Sequence, residues 1–165
     1  MDKVEVKKQQ IIEQITQHMV QNGLADLGLR KLAAVAGTSD RMLIYYFETK
    51  DGLIGEVLRT VAANFTIQLD AVLGQHQRDA NTLLMELLTL GESQQFNLII
   101  QLWFEVVGLA ARKQEPYAAN ATAIATSWLQ WIESRLENPQ VGEATALFAE
   151  LEGRLMIKLL NVDTL

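Results

Sequence analysis

Apolar residues along this chain recur three and four positions apart and nowhere alternate over a strand's length, so the pattern predicts helices throughout. Ile11, Ile12, Ile15 and Met19 make the buried stripe of an opening helix from about Val4 to Asn22, closed by Gly23. Leu29, Leu32, Ala33 and Ala36 stripe a second, short helix that Gly37 stops, and Leu43 and Phe47 are the inward pair of a third, over residues 40–47. Thr49 is placed to cap a long helix running to about Leu73, with Leu53, Val57, Val61, Phe65, Leu69 and Val72 on one side. Four more helices follow, over about 81–90, 93–113, 116–137 and 141–162, punctuated by Gly91, the bend at 112–116 and Asn138-Pro139. The expectation is an all-α fold of about eight helices.

The third helix has too few residues to be stable alone, because an isolated segment shorter than about a dozen residues does not offset its nucleation cost. Its neighbours must hold it, and what it leaves outward must meet something else. Thr38, Ser39, Asp40, Arg41 and Met42 lie at its start, and Tyr45 and Tyr46 further on. Two short helices joined by a tight turn, with hydroxyls and cations around the second, suit a major groove: the first residues of such a helix reach base edges and the hydroxyls and cations grip phosphates. Lys50, just after the Thr49 cap, is where a phosphate would meet both an ammonium and a helix N-terminus.

This run resembles the DNA-binding domain of the TetR family of bacterial transcriptional regulators. The resemblance rests on Gly23, Arg30-Lys31-Leu32-Ala33, Gly37-Thr38-Ser39, the stretch Leu43 to Phe47, and Thr49-Lys50 followed by Leu53-Ile54, all in register. Beyond residue 60 it reduces to the helix count and a Trp-x-Glu on the sixth helix, here Trp103-Phe104-Glu105. Three positions depart from the family pattern. Gly28 stands where many members have Ser or Thr, Ile44 where many have the first tyrosine of a Tyr-Tyr-His-like run, and Asp40 puts a carboxylate beside the groove. The resemblance implies a three-helix helix-turn-helix domain over 1–50 and a helical regulatory and dimerisation domain over 51–165, bridged by the long helix 51–73. The DNA-contacting set is then Arg30, Thr38, Ser39, Asp40, Arg41, Met42, Tyr45, Tyr46 and Lys50.

Charge modifies this picture. The chain carries a net −6, which over the whole length argues against a nucleic-acid binder. Residues 1–60, however, hold eight Lys/Arg and eight Asp/Glu, whereas residues 61–165 hold six and twelve, so all the excess acid lies outside the expected reader. Lys7, Lys8, Arg30, Lys31, Arg41 and Lys50 either gather into a modest positive face or are ordinary solvated charges; charge alone does not decide between these. There is no cysteine, which removes disulfides and thiolate chemistry and fits a reducing cytosol. Met1 to Gln10 is charged and polar with no apolar run behind it, so no secretory leader is expected, nor a membrane span, and the expected location is cytoplasmic.

Phe96, Trp103, Phe104, Tyr117, Trp128 and Trp131 concentrate the large rings in two successive helices, with Gln101, Glu105, Asn120 and Thr122 as nearby polar groups. Most of this stripe is simply core. With Phe65, the same mix would also suit an apolar pocket with a few orienting hydrogen bonds, and the resemblance implies one lined by Phe65, Phe96, Gln101, Trp103, Phe104, Glu105, Asn120 and Trp128. The last two helices combine runs of alanine with more apolar surface than two helices readily hide. A second subunit is expected to cover Trp131, Phe148, Leu151, Leu155 and Leu159, giving a twofold homodimer.

No Ser/His/Asp set, metal-ligand cluster or Gly-rich phosphate loop is visible, His18 and His76 are isolated, and no enzyme, cofactor or metal is expected. The leading expectation is a homodimeric repressor that binds palindromic double-stranded DNA and is released by a small apolar or amphipathic effector. The alternative is a module of the same fold that binds DNA or protein under control of a protein partner, with no small-molecule inducer.

Overall fold

In the computed structural model, which describes residues 3–162, the chain forms eight helices: α1 (Lys3–Asn22), α2 (Leu29–Val35), α3 (Asp40–Phe47), α4 (Lys50–Leu73), α5 (Ala80–Gly91), α6 (Gln94–Ala111), α7 (Tyr117–Arg135) and α8 (Glu143–Leu159). The described residues contain no strand, only an isolated bridge between Arg78 and Leu136. They divide into two compact units, one drawn from Met1–Asn64 and Leu102–Thr122, the other from Phe65–Gln101 and Ala123–Leu165. The all-α expectation holds, and α4, α6 and α7 each contribute residues to both units.

In the first unit, Ile11, Ile15, Met19, Leu32, Leu43, Leu53 and Val57 are essentially inaccessible to solvent and form the centre of the core. Gly37, at φ +57°, turns the chain between α2 and α3 in the left-handed conformation that glycine adopts at little cost. Ser39 then caps α3, its hydroxyl accepting from the Met42 amide at 3.3 Å. The α3–α4 corner is tighter still. Glu48 sits at φ 64° and ψ −46°, and the Thr49 amide donates to the Phe47 carbonyl at 2.7 Å across it, which is a γ-turn of the strained hand. Thr49 Oγ1 accepts from the Gly52 amide at 2.9 Å and starts α4. Gly52 lies so close to the preceding turn that a Cβ there would come within 2.6 Å of the Phe47 carbonyl oxygen.

Three further ties belong to this unit. Lys8 Nζ on α1 bonds Glu56 on α4 at 2.8 Å and lies 5.2 Å from the centre of the Phe47 ring, so one ammonium serves three helices. The Glu105 carboxylate on α6 accepts from the Leu24 amide at 2.8 Å, just past the end of α1. Arg59 on α4 donates to the buried Asn120 side chain on α7 at 2.9 Å, and Asn120 in turn donates to the Pro116 carbonyl at 2.7 Å.

The second unit packs α8 against α5, with Leu83, Leu84 and Leu87 facing inward from α5 and Leu147, Leu151 and Leu155 from α8. Asp79 caps α5 by accepting from Thr82. One carboxylate organises the α4–α7 side: Asp70 Oδ1 accepts from the Trp131 indole N–H at 2.8 Å and from Arg135 at 2.7 Å. Burial pushes the Asp70 carboxyl up, but the Arg135 and Trp131 bonds and the Arg135 charge outweigh it and hold it below the ordinary Asp value of 3.8. Arg78, only 5 % exposed, donates to the Leu73 carbonyl and pairs with Glu86 at 3.1 Å.

The helix limits differ slightly from those expected. α6 stops at Ala111 because the chain turns through Lys113 at φ 57°, and α8 begins at Glu143 because Gly142 at φ 83° precedes it. Val72, expected in the α4 stripe, is 59 % exposed; steps of four from Leu69 lead to half-buried Leu73 instead.

The corner yields opposite effects from two glycine exchanges. Gly52→Ala gains helix propensity of about 1 kcal/mol but forces a shift against backbone costing about 1–3 kcal/mol, so thermal melting is expected to fall by a few degrees. Glu48→Gly relieves the positive φ and is expected to raise it, by about 1 kcal/mol net of added chain entropy. A Gly52→Ala protein that melts at or above the wild-type temperature would show the corner to be looser than described. For Asp70, a depressed folded pKa means that its contribution is present above 3.8 and lost as pH falls through the lower folded value. Asp70→Ala should destabilise by about 1–3 kcal/mol near neutrality, with the gap from wild type closing in strong acid; a gap independent of pH in urea titrations would refute the role of its charge.

Candidate functional site

The short helix α3 is amphipathic in an unusual proportion. Leu43 and Phe47, four apart, are 1 % and 5 % exposed and dock it on its neighbours, leaving most of its circumference available. Arg41 is exposed and Tyr45 is 67 % exposed, while Asp40, Met42 and Tyr46 are half-buried along its flanks. The Tyr45 and Tyr46 rings meet edge to face at 5.3 Å, and Tyr46 meets Phe47 in the same way at 6.4 Å. This stack runs from the core to the outer surface and limits the freedom of the exposed phenol.

The other residues expected at a nucleic-acid surface are distributed around this helix. Thr38 is half-buried and Ser39 exposed at its start, and the Ser39 hydroxyl is engaged in capping. Arg30 stands exposed one residue into α2, whose own start at Gly28 has no side-chain cap. Lys50 is exposed at the first position of α4. Of the two α1 lysines expected to add to a positive face, Lys8 is committed to Glu56 and the Phe47 ring. Ile44 was not among the expected contacts, yet it is 39 % exposed. The spacing of Arg41, Ile44 and Tyr45, at i, i+3 and i+4 away from the Leu43–Phe47 seam, carries the signal that would have found it.

The residues expected to line a pocket fall into both units. In the second unit, Phe65 packs against Phe96 at 5.5 Å and Trp128 at 5.4 Å between ring centres, and Trp128 meets Phe148 at 6.2 Å. Gln101, exposed, donates to Asn97 on the same helix. In the first unit, Trp103 is buried, Phe104 half-buried, and Glu105 and Asn120 make the bonds to Leu24 and Arg59 described above. Tyr117, beside them, has its hydroxyl pKa pushed up by burial and then by the Asp51 and Glu105 carboxylates, so it stays a neutral hydrogen-bonding group.

Of the residues expected at a subunit interface, Trp131, Leu151 and Leu155 are each at most 9 % exposed within the single chain, and Phe148 and Leu159 are half-buried. The exposed apolar surface of this end is carried by Met156, Ile157, Leu160 and Val162, at 47 %, 43 %, 66 % and 56 %. Among the described residues there is no cluster of metal-ligating side chains, and no helix is long and apolar enough to cross a membrane.

Comparison with known proteins gives this arrangement its context. Residues 11–57 match the model of the family described as bacterial regulatory proteins, tetR family. A crystal structure from Rhodococcus sp. assigned to the TetR-family transcriptional regulators superposes with a TM-score of 0.72 at 19 % identity, covering 96 % of this chain and 89 % of that one. The multidrug binding protein EbrR, crystallised in complex with imidazole, superposes with a TM-score of 0.65 at 26 % identity, over 95 % of this chain and 81 % of that one. The matched segment runs from within α1 to the start of α4, the same helices whose caps and corner fix α3, so these residues carry the N-terminal domain of the tetR family of bacterial regulatory proteins, and the eight-helix likeness over nearly the whole length shows that the chain has the TetR-like fold.

Proposed function

We propose that this protein is a ligand-responsive repressor that binds a palindromic operator as a homodimer and lets go of it when a small apolar or amphipathic effector binds. The observation that carries the DNA-reading part is the outward face of α3, where Arg41 and Tyr45 are exposed on a helix whose opposite side is locked by Leu43, Phe47 and the 47–52 corner. A guanidinium on the leading turn of such a helix suits the O6 and N7 of guanine. Thr38, Tyr46, Arg30 and Lys50 surround it with groups that suit phosphates, and Asp40 and Met42 flank it at the groove edge. The division 1–50 for reading and 51–165 for regulation and dimerisation is part of this proposal.

The homodimer is supported by the apolar surface on the last turns of α8, at Met156, Ile157 and Leu160, continuous with half-buried Leu159. Twofold pairing would present two α3 helices to half-sites about one helical turn apart or a multiple of it. The effector is supported by the ring cluster of Phe65, Phe96, Trp128 and Phe148, whose ring–ring contacts are individually worth only about 0.5–1.5 kcal/mol and can be exchanged for contacts with a planar guest. The similarity to a multidrug binding protein supports the same reading. Should no small molecule displace the DNA, control by a protein partner becomes the better account.

Selection of bound duplexes from a random DNA pool by the purified protein tests the central statement: an enriched inverted repeat is expected, and failure to enrich any sequence at moderate salt would refute it. On that repeat, Arg41→Ala should weaken binding by about 1–3 kcal/mol per half-site and relax the preference at one base pair. Lys50→Ala should weaken all sequences alike and make the salt dependence shallower by about one per half-site; a changed sequence preference would instead assign Lys50 to base reading. Trp128→Phe should shift the concentration at which amphipathic compounds release the DNA while leaving effector-free affinity unchanged. An equal loss of DNA affinity would move Trp128 from the effector site to the general scaffold.

A further inference from the structure

Ile44 is a poor choice for where it stands. A β-branched residue in a short helix has lower helix propensity than Ala or Leu, and at 39 % exposure it leaves part of its aliphatic surface in water. The core of the first unit does not need it, since Leu43 and Phe47 already dock α3. It lies one turn beyond Arg41 and next to Tyr45, on the flank of the outward face that Arg41 shares. In a major groove, three of the four bases offer that flank only hydrogen-bonding edges, which an isoleucine would desolvate without compensation. Thymine alone adds an apolar group, its C5 methyl.

We propose that Ile44 is a specificity-determining residue that packs on the C5 methyl of a thymine in each operator half-site, so that the half-site carries an obligatory thymine beside the base pair read by Arg41. This rests on the DNA-reading function proposed above and adds to it the chemistry of one position. Arg30 and Lys50 supply the attraction for the phosphates, Arg41 reads its base pair, and Ile44 supplies discrimination by shape and apolar contact. Tyr45 next to it keeps water from the contact.

The test uses the whole protein and the selected operator, with each thymine replaced in turn by deoxyuridine, which keeps every hydrogen-bonding group and lacks only the methyl. Burial of one methyl corresponds to a fold-change of about four in Kd per half-site, roughly fifteen for a symmetric pair. Wild-type protein is expected to lose that much at one thymine per half-site and nothing comparable elsewhere. Ile44→Ala, which raises the helix propensity of α3 and is checked for an unchanged melting temperature, is expected to bind thymine and deoxyuridine operators equally. Two results overturn the proposal while leaving the DNA-reading function intact: tight operator binding insensitive to every methyl, or a methyl effect that survives in Ile44→Ala. Failure of the protein to select any operator overturns the function and this inference together.

Discussion

The position of α3 depends on one residue more than any other, Phe47. An eight-residue helix gains too little from its own hydrogen bonds to persist, so its orientation is whatever its contacts impose. The Phe47 ring is buried against the first unit and lies under the Lys8 ammonium, whose other partner is Glu56 on α4. The Phe47 carbonyl closes the turn at Glu48 and sets how near Gly52 approaches. Core, ion pair and corner therefore meet at a single residue, which ties α3 to both α1 and α4. The base reading proposed for α3 would require this kind of support, since contacts on a loosely held helix lose most of their directional value.

The second unit uses a different device. Its helices are joined by polar groups that are mostly paired, at Asp70 with Trp131 and Arg135, and at Arg78 with Leu73 and Glu86. Removing one partner from such a set costs more than the set contributes, because the remaining group is left desolvated. The aromatic cluster of Phe65, Phe96, Trp128 and Phe148 lies in the same unit. Polar ties thus join the helices of this unit at Asp70 and Arg78, while aromatic contacts join α4, α6, α7 and α8.

Much of the first unit was legible in the sequence because its determinants are local. The periodic stripe of α1, the Gly37 turn, the Ser39 cap and the limits of α3 follow from spacing and from residue types that cannot serve elsewhere. What was not legible was geometry that joins distant positions. Nothing in the letters ties Lys8 to Glu56, or Glu105 to the Leu24 amide, and a glutamate in a Trp-x-Glu run reads as readily as a pocket group as it does as a partner for a backbone N–H. Glu48 was equally hidden, since a glutamate gives no sign of positive φ. In α7 and α8 the small and apolar residues run round much of the helix surface, so periodicity could not separate the faces: Leu151 and Leu155 are core, while Met156 and Leu160 are exposed.

The charge balance then constrains what kind of reader the proposed function requires. Residues 1–60 are net neutral, and Lys8 is already paired with Glu56, which leaves Arg30, Lys31, Arg41 and Lys50 as the exposed cations around α2, α3 and the start of α4. If Arg41 reads a base pair as proposed, few phosphate contacts would remain per subunit, and each would be worth less than one unit of salt slope. The acidic remainder of the chain, twelve carboxylates against six cations over residues 61–165, opposes nonspecific approach. A protein with so small an electrostatic contribution has little affinity for arbitrary DNA. Under the proposed function its selectivity would have to come from short-range contacts made by α3 itself, through a guanidinium, a phenol and an aliphatic side chain. Such contacts would reward precise placement, which would offset the cost in stability of the strained turn at Glu48 and the close approach at Gly52.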